Sequence, residues 1–209
     1  MSATFEKTAG ANIFRLGATS GLITGTSANG VILAWRNPSS EKAQRLLYLA
    51  LKLRTVSGFT AAQEVALAAH VVTSFATANY SGGTDLSDPA SNPAYVNAGL
   101  MLNSAYSYTT PRTKSVLATG NVRIATTGAL THAGSPVIQS QPFLWDTFSE
   151  LATVATVQKG LCDLIYAPDR DVDHHLDFGS DAGFVVRLPI ALGAGGTVRL
   201  NVEAVWAER

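Results

Sequence analysis

The chain of 209 residues carries 15 basic and 15 acidic residues, and only 14% of its residues are charged, against about 25% in typical soluble domains. The zero net charge argues against a dedicated nucleic-acid-binding protein, and the 46% hydrophobic content argues against disorder. The single cysteine, Cys162, excludes an intrachain disulfide and a cysteine-rich zinc site, and we expect it to be buried. A weakly charged surface favours association with other protein surfaces.

The first thirty residues predict an extended arm. Gly17–Gly30 contains four glycines and no charged residue, which is typical of loops rather than of a packed helix. A short strand is predicted at Val31–Trp35, and the Asn37-Pro38 pair that follows it is typical of a turn. We therefore expect an arm over residues 1–30 and a single domain over residues 31–209.

Two long segments, Gln44–Val56 and Ala62–Ala78, are compatible with either a helix or a strand. The leucine and alanine content of the first favours a helix, whereas the alternation over Lys52–Arg54 favours a strand. The second has no helix-breaking residue but contains the β-favouring run Val71–Thr73. The residues favour two long strands joined near Gly58 without excluding helices.

The middle of the chain predicts long surface loops. Asn79–Pro111 is poor in charge and rich in turn-forming residues, which is typical of segments that make contacts rather than core. Phe143–Asp177 is interpreted in the same way, apart from a short apolar strand at Leu161–Tyr166. His70, by contrast, lies among apolar residues, which favours a buried and hydrogen-bonded histidine over a metal ligand.

The C-terminal segment Gly183–Glu208 predicts two strands. Polar and apolar residues alternate over Val198–Trp206, and the sequence GAGG at Gly193–Gly196 is typical of a turn, so we expect a terminal β-hairpin. Pro189 lies inside the first of these strands, which predicts an edge strand or a bulge. The recurrent turns favour a sandwich or barrel over alternating β-α units.

Asp169–Asp177 is the densest cluster of ionisable residues. Two histidines and a carboxylate can bind Zn²⁺ or Fe²⁺, so the candidate metal ligands are Asp173, His174, His175 and Asp177. Adjacent histidines on a strand point to opposite faces, which favours a solvated loop over a metal site. The segment also lacks the glycine and the closing glutamate of a calcium-binding loop. We therefore expect no metal and no cofactor.

Nothing in the sequence predicts an enzyme. No Gly-x-Ser-x-Gly motif occurs, and the glycine-rich run before Thr197 lies between two predicted strands rather than before a helix, where it would bind phosphate. Tyr106 and Tyr108 would project from one face of a strand. Such a pair is compatible with a carbohydrate- or base-stacking platform, and equally with a packed cross-strand face.

Four segments carry a resemblance to known proteins. They are GVILAWRNPSS (Gly30–Ser40), the segment Arg54–Thr84, VRIATTGALT (Val122–Thr131) and the segment Asp181–Glu208. Within them, GFTAAQEV (Gly58–Val65) and GFVVR…GGTVRLNVEAVW (Gly183–Trp206) carry the most weight. Together they resemble a group of virion structural proteins of tailed bacteriophages and prophages. The resemblance implies that both ambiguous segments are strands. It also implies an all-β, antiparallel, jelly-roll-like sandwich that assembles as an oligomer on the particle, and it carries no catalytic residue.

From the resemblance we expect a capsid decoration, or cement, protein that is not an enzyme. Its partners would be the major capsid protein and copies of itself, as a homotrimer on the capsid surface after synthesis in the host cytoplasm. We expect no nucleic-acid partner, because the net charge is zero. We also expect no membrane partner, because no stretch of about 18 apolar residues occurs. The candidate interaction residues are Phe14, Leu16, Leu22, Ile23, Tyr80, Tyr95, Tyr106, Tyr108 and Trp145.

Two alternative functions remain open from the sequence. The first is a tail, baseplate or head-fibre component, which the same resemblance would fit. The second is a carbohydrate-binding receptor module that would use Tyr106, Tyr108 and the aspartate- and histidine-rich segment.

Overall fold

The computed structural model describes residues 12–76, 78–87, 117, 120–150, 161–168 and 175–209. The regular structure of these residues consists of β-strands. The strands are β1 (Asn12–Thr19), β2 (Gly30–Arg36), β3 (Gln44–Ser57), β4 (Gln63–Ser74), β5 (Thr84–Asp85), β6 (Val122–Ile124), β7 (Val137–Ile138), β8 (Leu144–Glu150), β9 (Leu161–Tyr166), β10 (Leu176–Phe178), β11 (Gly183–Leu188) and β12 (Thr197–Glu208). Within the described ranges there is no helix long and apolar enough to cross a membrane.

The strands form two antiparallel sheets that pack against each other. Sheet 1 has the order β1-β12-β3, and β10 and β9 share the far edge of β3. Sheet 2 has the order β5-β6-β2-β11-β4, and β8 and β7 share the far edge of β4. The chain changes sheet between β1 and β2, β2 and β3, β3 and β4, β8 and β9, β10 and β11, and β11 and β12. The predicted all-β sandwich is therefore confirmed.

The strand interpretation of the two ambiguous segments is also confirmed. In β3, Leu49, Leu51 and Leu53 are buried, whereas Lys52 and Arg54 are exposed, so burial follows the strand period of two. Tertiary packing here overrides the helix propensity of leucine and alanine. In β4 the run of residues 65–70 is buried without alternation, because both faces of this strand are covered.

The outer face of sheet 2 is covered by the chain itself. Ala34 of β2 and Val185 of β11 lie side by side on this face and are fully buried. The connections that follow β4 and β6 contribute further buried side chains, Phe75, Tyr80 and Leu130. Leu130 is joined to β2 by a backbone bridge. The central strands of sheet 2 therefore have apolar residues on both faces.

Two tryptophans form the centre of the core between the sheets. The rings of Trp35 from β2 and Trp206 from β12 meet edge to face, with 4.7 Å between their centroids. Phe14 of β1 stacks on Trp206 at 5.5 Å, and Phe184 of β11 stacks on Trp35 at 5.6 Å. This row of four aromatic rings connects the two sheets, and such ring pairs contribute about 0.5–1.5 kcal/mol each beyond their burial.

A buried polar network fixes the orientation of both indoles. Trp35 Nε1 donates to Gln44 Oε1 at 2.9 Å, and Trp206 Nε1 donates to Glu208 Oε1 at 3.1 Å. Gln44 Nε2 donates to the same Glu208 oxygen at 3.3 Å. Because Gln44 and Glu208 belong to sheet 1 and Trp35 to sheet 2, the Trp35–Gln44 bond links the sheets directly.

The predicted terminal hairpin is wrong. β11 lies in sheet 2 between β2 and β4, whereas β12 lies in sheet 1 between β1 and β3. The residues between them cross from one sheet to the other, and Gly193 N donates to Gln63 Oε1 on the way. β11 ends at Leu188, directly before Pro189, so the proline follows a central strand instead of interrupting it. The ladder between β11 and β2 contains a bulge at Val186/Arg187.

Residues 12–30 of the predicted arm find their partners in the chain's own sheets. β1 pairs with β12 along its whole length. Ile23 then exchanges both backbone hydrogen bonds with Val198, and Gly21 N donates to the carbonyl of Ala125. This segment therefore joins sheet 1 to the β6 side of sheet 2. Residues 1–11 lie outside the described part of the chain.

The prediction of a long loop over Phe143–Asp177 is wrong where the structure describes it. β8 pairs with β4 over residues 144–150, and β9 pairs with β3 over residues 161–166. The short strand predicted at Leu161–Tyr166 is confirmed as β9. The two strands contact each other where the edges of the sheets meet, as between Cys162 of β9 and Asp146 of β8. The ring of Phe143, directly before β8, lies 5.8 Å from that of Tyr166 in β9.

The aromatic row predicts a large difference between two tryptophan substitutions. Trp206→Ala removes a side chain that is 1% exposed, and we expect it to lower the free energy of unfolding by about 3–5 kcal/mol. Trp145→Ala removes a side chain that is 58% exposed, so we expect a change within about 0.5 kcal/mol. Urea unfolding followed by circular dichroism measures both. Equal losses would contradict the assignment of the core.

A close backbone contact predicts a second pair of outcomes. A Cβ on Gly183 would lie 1.9 Å from the carbonyl oxygen of Trp35, so Gly183→Ala forces β11 and β2 apart and should cost about 1–3 kcal/mol. Gly17 in β1 has no atom within 4 Å of such a Cβ, and Gly17→Ala should raise stability by about 0.5 kcal/mol. Thermal unfolding of both variants tests the register of sheet 2, and a neutral Gly183→Ala would overturn it.

Candidate interaction surface

Several predicted interaction residues lie inside the chain's own core. The side chains of Phe14, Leu16 and Ile23 are fully buried in the sandwich, so in this structure they pack against the chain itself rather than a partner. Tyr80 is also buried, at 7% exposure, whereas Leu22 is exposed. The remaining predicted tyrosines, Tyr95, Tyr106 and Tyr108, lie outside the described residues.

The aspartate- and histidine-rich segment is described only from His175 onward, so Asp173 and His174 fall outside the described residues. Asp177 in β10 forms a bidentate pair with Arg45 of β3, with two N–O distances of 2.6 Å. This hydrogen-bonded carboxylate raises the pKa of Arg45. Across the described ranges no three His, Cys, Asp or Glu side chains are grouped so that they could hold a metal.

Cys162 faces the interior of the sandwich, and its predicted burial is confirmed. Its Sγ lies 3.6 Å from the carbonyl oxygen of Asp146, a contact that joins β9 to β8. Burial raises the pKa of the thiol to about 12, so the group stays protonated at neutral pH and is a poor nucleophile.

Three large apolar side chains are exposed where β8 and β9 meet. Trp145 is 58% exposed, Ile165 54% and Leu161 51%. Strand alternation turns Cys162 and Leu164 inward and therefore turns Leu161 and Ile165 outward. We call Trp145, Leu161 and Ile165 the apolar corner. Trp145 is among the residues predicted from the sequence, whereas Leu161 and Ile165 are not, because both faces of β9 carry mostly apolar residues and its pattern does not show which face is exposed.

The outer face of sheet 1 carries charged side chains, and most of the described ones are paired. Lys52 Nζ lies 3.0 Å from Asp163 Oδ2, and Arg15 Nη2 lies 2.6 Å from Glu203 Oε1. These pairs balance charge on β1, β3, β9 and β12, but exposed pairs of this kind contribute little stability.

Arg54 and Arg199 are the exception on this face. They lie directly opposite each other in the β3–β12 ladder, an arrangement of like charges that destabilises a sheet. Neither forms an ion pair with a carboxylate of the described residues, and Arg199 Nε is buried without a hydrogen-bond partner there. We call Arg54 and Arg199 the arginine pair. Arg54 also pairs with Leu161 of β9, so the arginine pair adjoins the apolar corner.

A second set of polar side chains lies on the outer face of sheet 2, beneath the chain segments that cover this face. His70 of β4 is 6% exposed, and its Nδ1 is 2.9 Å from the carbonyl oxygen of Gln139, as expected for a buried, hydrogen-bonded histidine. A carbonyl can only accept, so Nδ1 carries the proton. Burial lowers the pKa of His70, and the nearby Arg187 lowers it further. Burial also raises the pKa of Tyr80 and lowers that of Arg187.

Comparison of the chain with protein-family models, curated proteins and solved structures found no match. The resemblance to phage virion proteins therefore rests on the sequence segments quoted above and stays a prediction.

The lowered pKa of His70 predicts a pH-dependent stability. The unfolded chain binds a proton at this residue more readily than the folded chain, so stability should fall as pH drops through about 6.5 and level off below the folded pKa. The slope from one histidine is at most about 1.4 kcal/mol per pH unit. His70→Asn keeps a donor for the Gln139 carbonyl and does not titrate.

Chemical denaturation of the wild type and of His70→Asn between pH 5 and 8 tests this expectation. The difference in unfolding free energy between the two proteins should change over that range, with the wild type losing more stability on the acid side. Parallel pH profiles would show that His70 is not held neutral by burial.

Proposed function

We propose that the protein is a structural component of a bacteriophage virion that binds the outside of the capsid as a decoration protein. The proposal is supported by the four sequence segments that resemble virion proteins and by the β-sandwich fold. The observation that carries it is the apolar corner beside the arginine pair. Large apolar side chains next to arginine are the composition of the centres of protein interfaces.

The partner would be the major capsid protein, contacted across neighbouring subunits of the shell. The central strands of sheet 2 are covered by the chain's own segments, whereas much of the outer face of sheet 1 and the apolar corner are open among the described residues. Covering the exposed half of each apolar side chain contributes about 1 kcal/mol. One copy therefore gains only a few kcal/mol from the corner, and tight binding needs several linked contacts.

The small binding free energy available from one apolar corner favours a homotrimer on the three-fold positions of the shell. A closed trimer engages three identical sites at once, and closed symmetry prevents open-ended growth. Binding to the assembled shell alone then stabilises that shell by mass action. The protein would be made in the host cytoplasm and would reside on the capsid surface.

The binding experiment uses capsids of the encoding phage prepared without this protein. Purified wild-type protein should co-sediment with them and raise their disruption temperature. The double variant Trp145→Ser, Ile165→Ser should bind at least about tenfold more weakly, because it loses two apolar anchors.

The matched control is Val137→Ser in β7. Val137 is 58% exposed, as much as Trp145, but it lies outside the apolar corner. This variant should bind like the wild type. Absence of wild-type binding would overturn the proposed function, and equal effects of the two variants would overturn the assigned surface.

Two further measurements address position and assembly. Antibody labelling of intact particles should mark the head, and labelling confined to the tail would instead support a tail or baseplate component. The mass in solution should be three times the chain mass of 21.9 kDa. A monomer would contradict the trimer.

A further inference from the structure

The polar side chains His70, Arg187 and Tyr80 lie beneath the segments that cover the outer face of sheet 2. They come from two strands and one connecting segment. Val185 pairs with His70 and Arg187 pairs with Ala68, so His70 and Arg187 are diagonal neighbours on one face of the sheet. Tyr80 comes from the segment between β4 and β5 and lies against the same face. Arg187 interacts electrostatically with both residues.

Arg187 has no counter-ion among the described residues. The described cations in ion pairs are Arg15, Arg36, Arg45, Lys52 and Arg123, and each has its own carboxylate. Arg187 is partly buried, and its Nε is buried without a hydrogen-bond partner. A buried N–H donor without an acceptor is unfavourable, and an anion can supply the missing acceptor.

The other groups around Arg187 supply donors or are neutral. Burial keeps the Tyr80 phenol protonated, since its pKa is raised. The ring of His132 lies 4.9 Å from that of Tyr80; its Nδ1 accepts from Gly134 N, and its Nε2 is 2.9 Å from the carbonyl oxygen of Ala78. On the same face of the sheet, Arg123 is paired with Asp85 at 3.6 Å. The described surroundings thus leave Arg187 as the one uncompensated charge.

We propose that Arg187, His70 and Tyr80 form a binding site for an oxyanion, a carboxylate or phosphate group. The planar fork of the Arg187 guanidinium matches two oxygens of such a group, and the neighbouring Tyr80 hydroxyl and His70 Nε2 would be its further partners. His70 Nδ1 already donates to Gln139, so Nε2 becomes a donor only when the ring is protonated. The bound anion therefore favours protonation of His70. This site is independent of the proposed capsid function.

The experiment follows the His70 ring signals by NMR while the pH is varied. Titrations are made in sodium acetate, in sodium phosphate and in sodium chloride at the same ionic strength. Acetate or phosphate should raise the pH midpoint of His70 by about one unit relative to chloride, which equals tenfold tighter binding to the protonated protein. A shift with acetate alone identifies a carboxylate site, and a shift with phosphate alone identifies a phosphate site.

Arg187→Gln should abolish the difference between the anions, whereas Arg15→Gln, a change at an exposed and ion-paired arginine on sheet 1, should leave it unchanged. Tyr80→Phe, which removes only the hydroxyl, should reduce the shift and provides a second variant should Arg187→Gln fail to fold. Identical His70 midpoints in the three salts would overturn the proposal. An anion effect that persists in full in both Arg187→Gln and Tyr80→Phe would also overturn it.

Discussion

The contact between Trp35 and Trp206 determines how the two sheets sit on each other. Hydrogen bonds hold each sheet together internally, but the interior of the sandwich is joined by side chains. The edge-to-face contact of the two indoles and the bond from Trp35 to Gln44 fix the relative position of β2 and β3. The apolar corner depends on this constraint, because Trp145 is carried by sheet 2 and Leu161 by sheet 1.

The two sheets differ in what they offer to a partner. The central strands of sheet 2 are buried on both faces, whereas its edge strands β7 and β8 expose Val137 and Trp145. Sheet 1 has one open face, on which the described charges are paired except for Arg54 and Arg199. The low charge content of the sequence thus has two structural counterparts: the covered central strands of sheet 2 carry mostly apolar residues, and most charges on the outer face of sheet 1 are paired. The unbalanced arginine pair lies next to the exposed apolar side chains, which concentrates the candidate contact at one corner.

The fold class could be predicted from the sequence, but the assignment of each strand to one of the two sheets could not. The alternation over residues 197–203 of β12 and the leucine pattern of β3 define strands locally, because that part of the outer face of sheet 1 is not buried. β11 and β12 are close in sequence, which favours a hairpin, yet β11 is buried on both faces, whereas residues 197–203 of β12 are buried on only one. That difference depends on distant segments, such as the one that carries Tyr80, and no local pattern contains it.

The candidate surface shows the same division between local and distant information. Trp145 could be selected because it is a large aromatic residue in a weakly charged segment. Leu161 and Ile165 could not, since their outward direction is known only once Cys162 is placed against β8. The glycine-rich composition of the first thirty residues favours a segment that binds a partner through Phe14, Leu16 and Ile23. In the structure β12 and the core supply that partner.

The most direct measurement of the central claim compares hydroxyl-radical oxidation of side chains in the free protein and in intact virions. We expect Trp145, Leu161 and Ile165 to be oxidised in the free protein and protected in the particle, while Val137 is oxidised equally in both. Equal oxidation of Trp145 in the two states, or protection of Val137 without protection of the apolar corner, would contradict the assignment of this surface to the capsid contact.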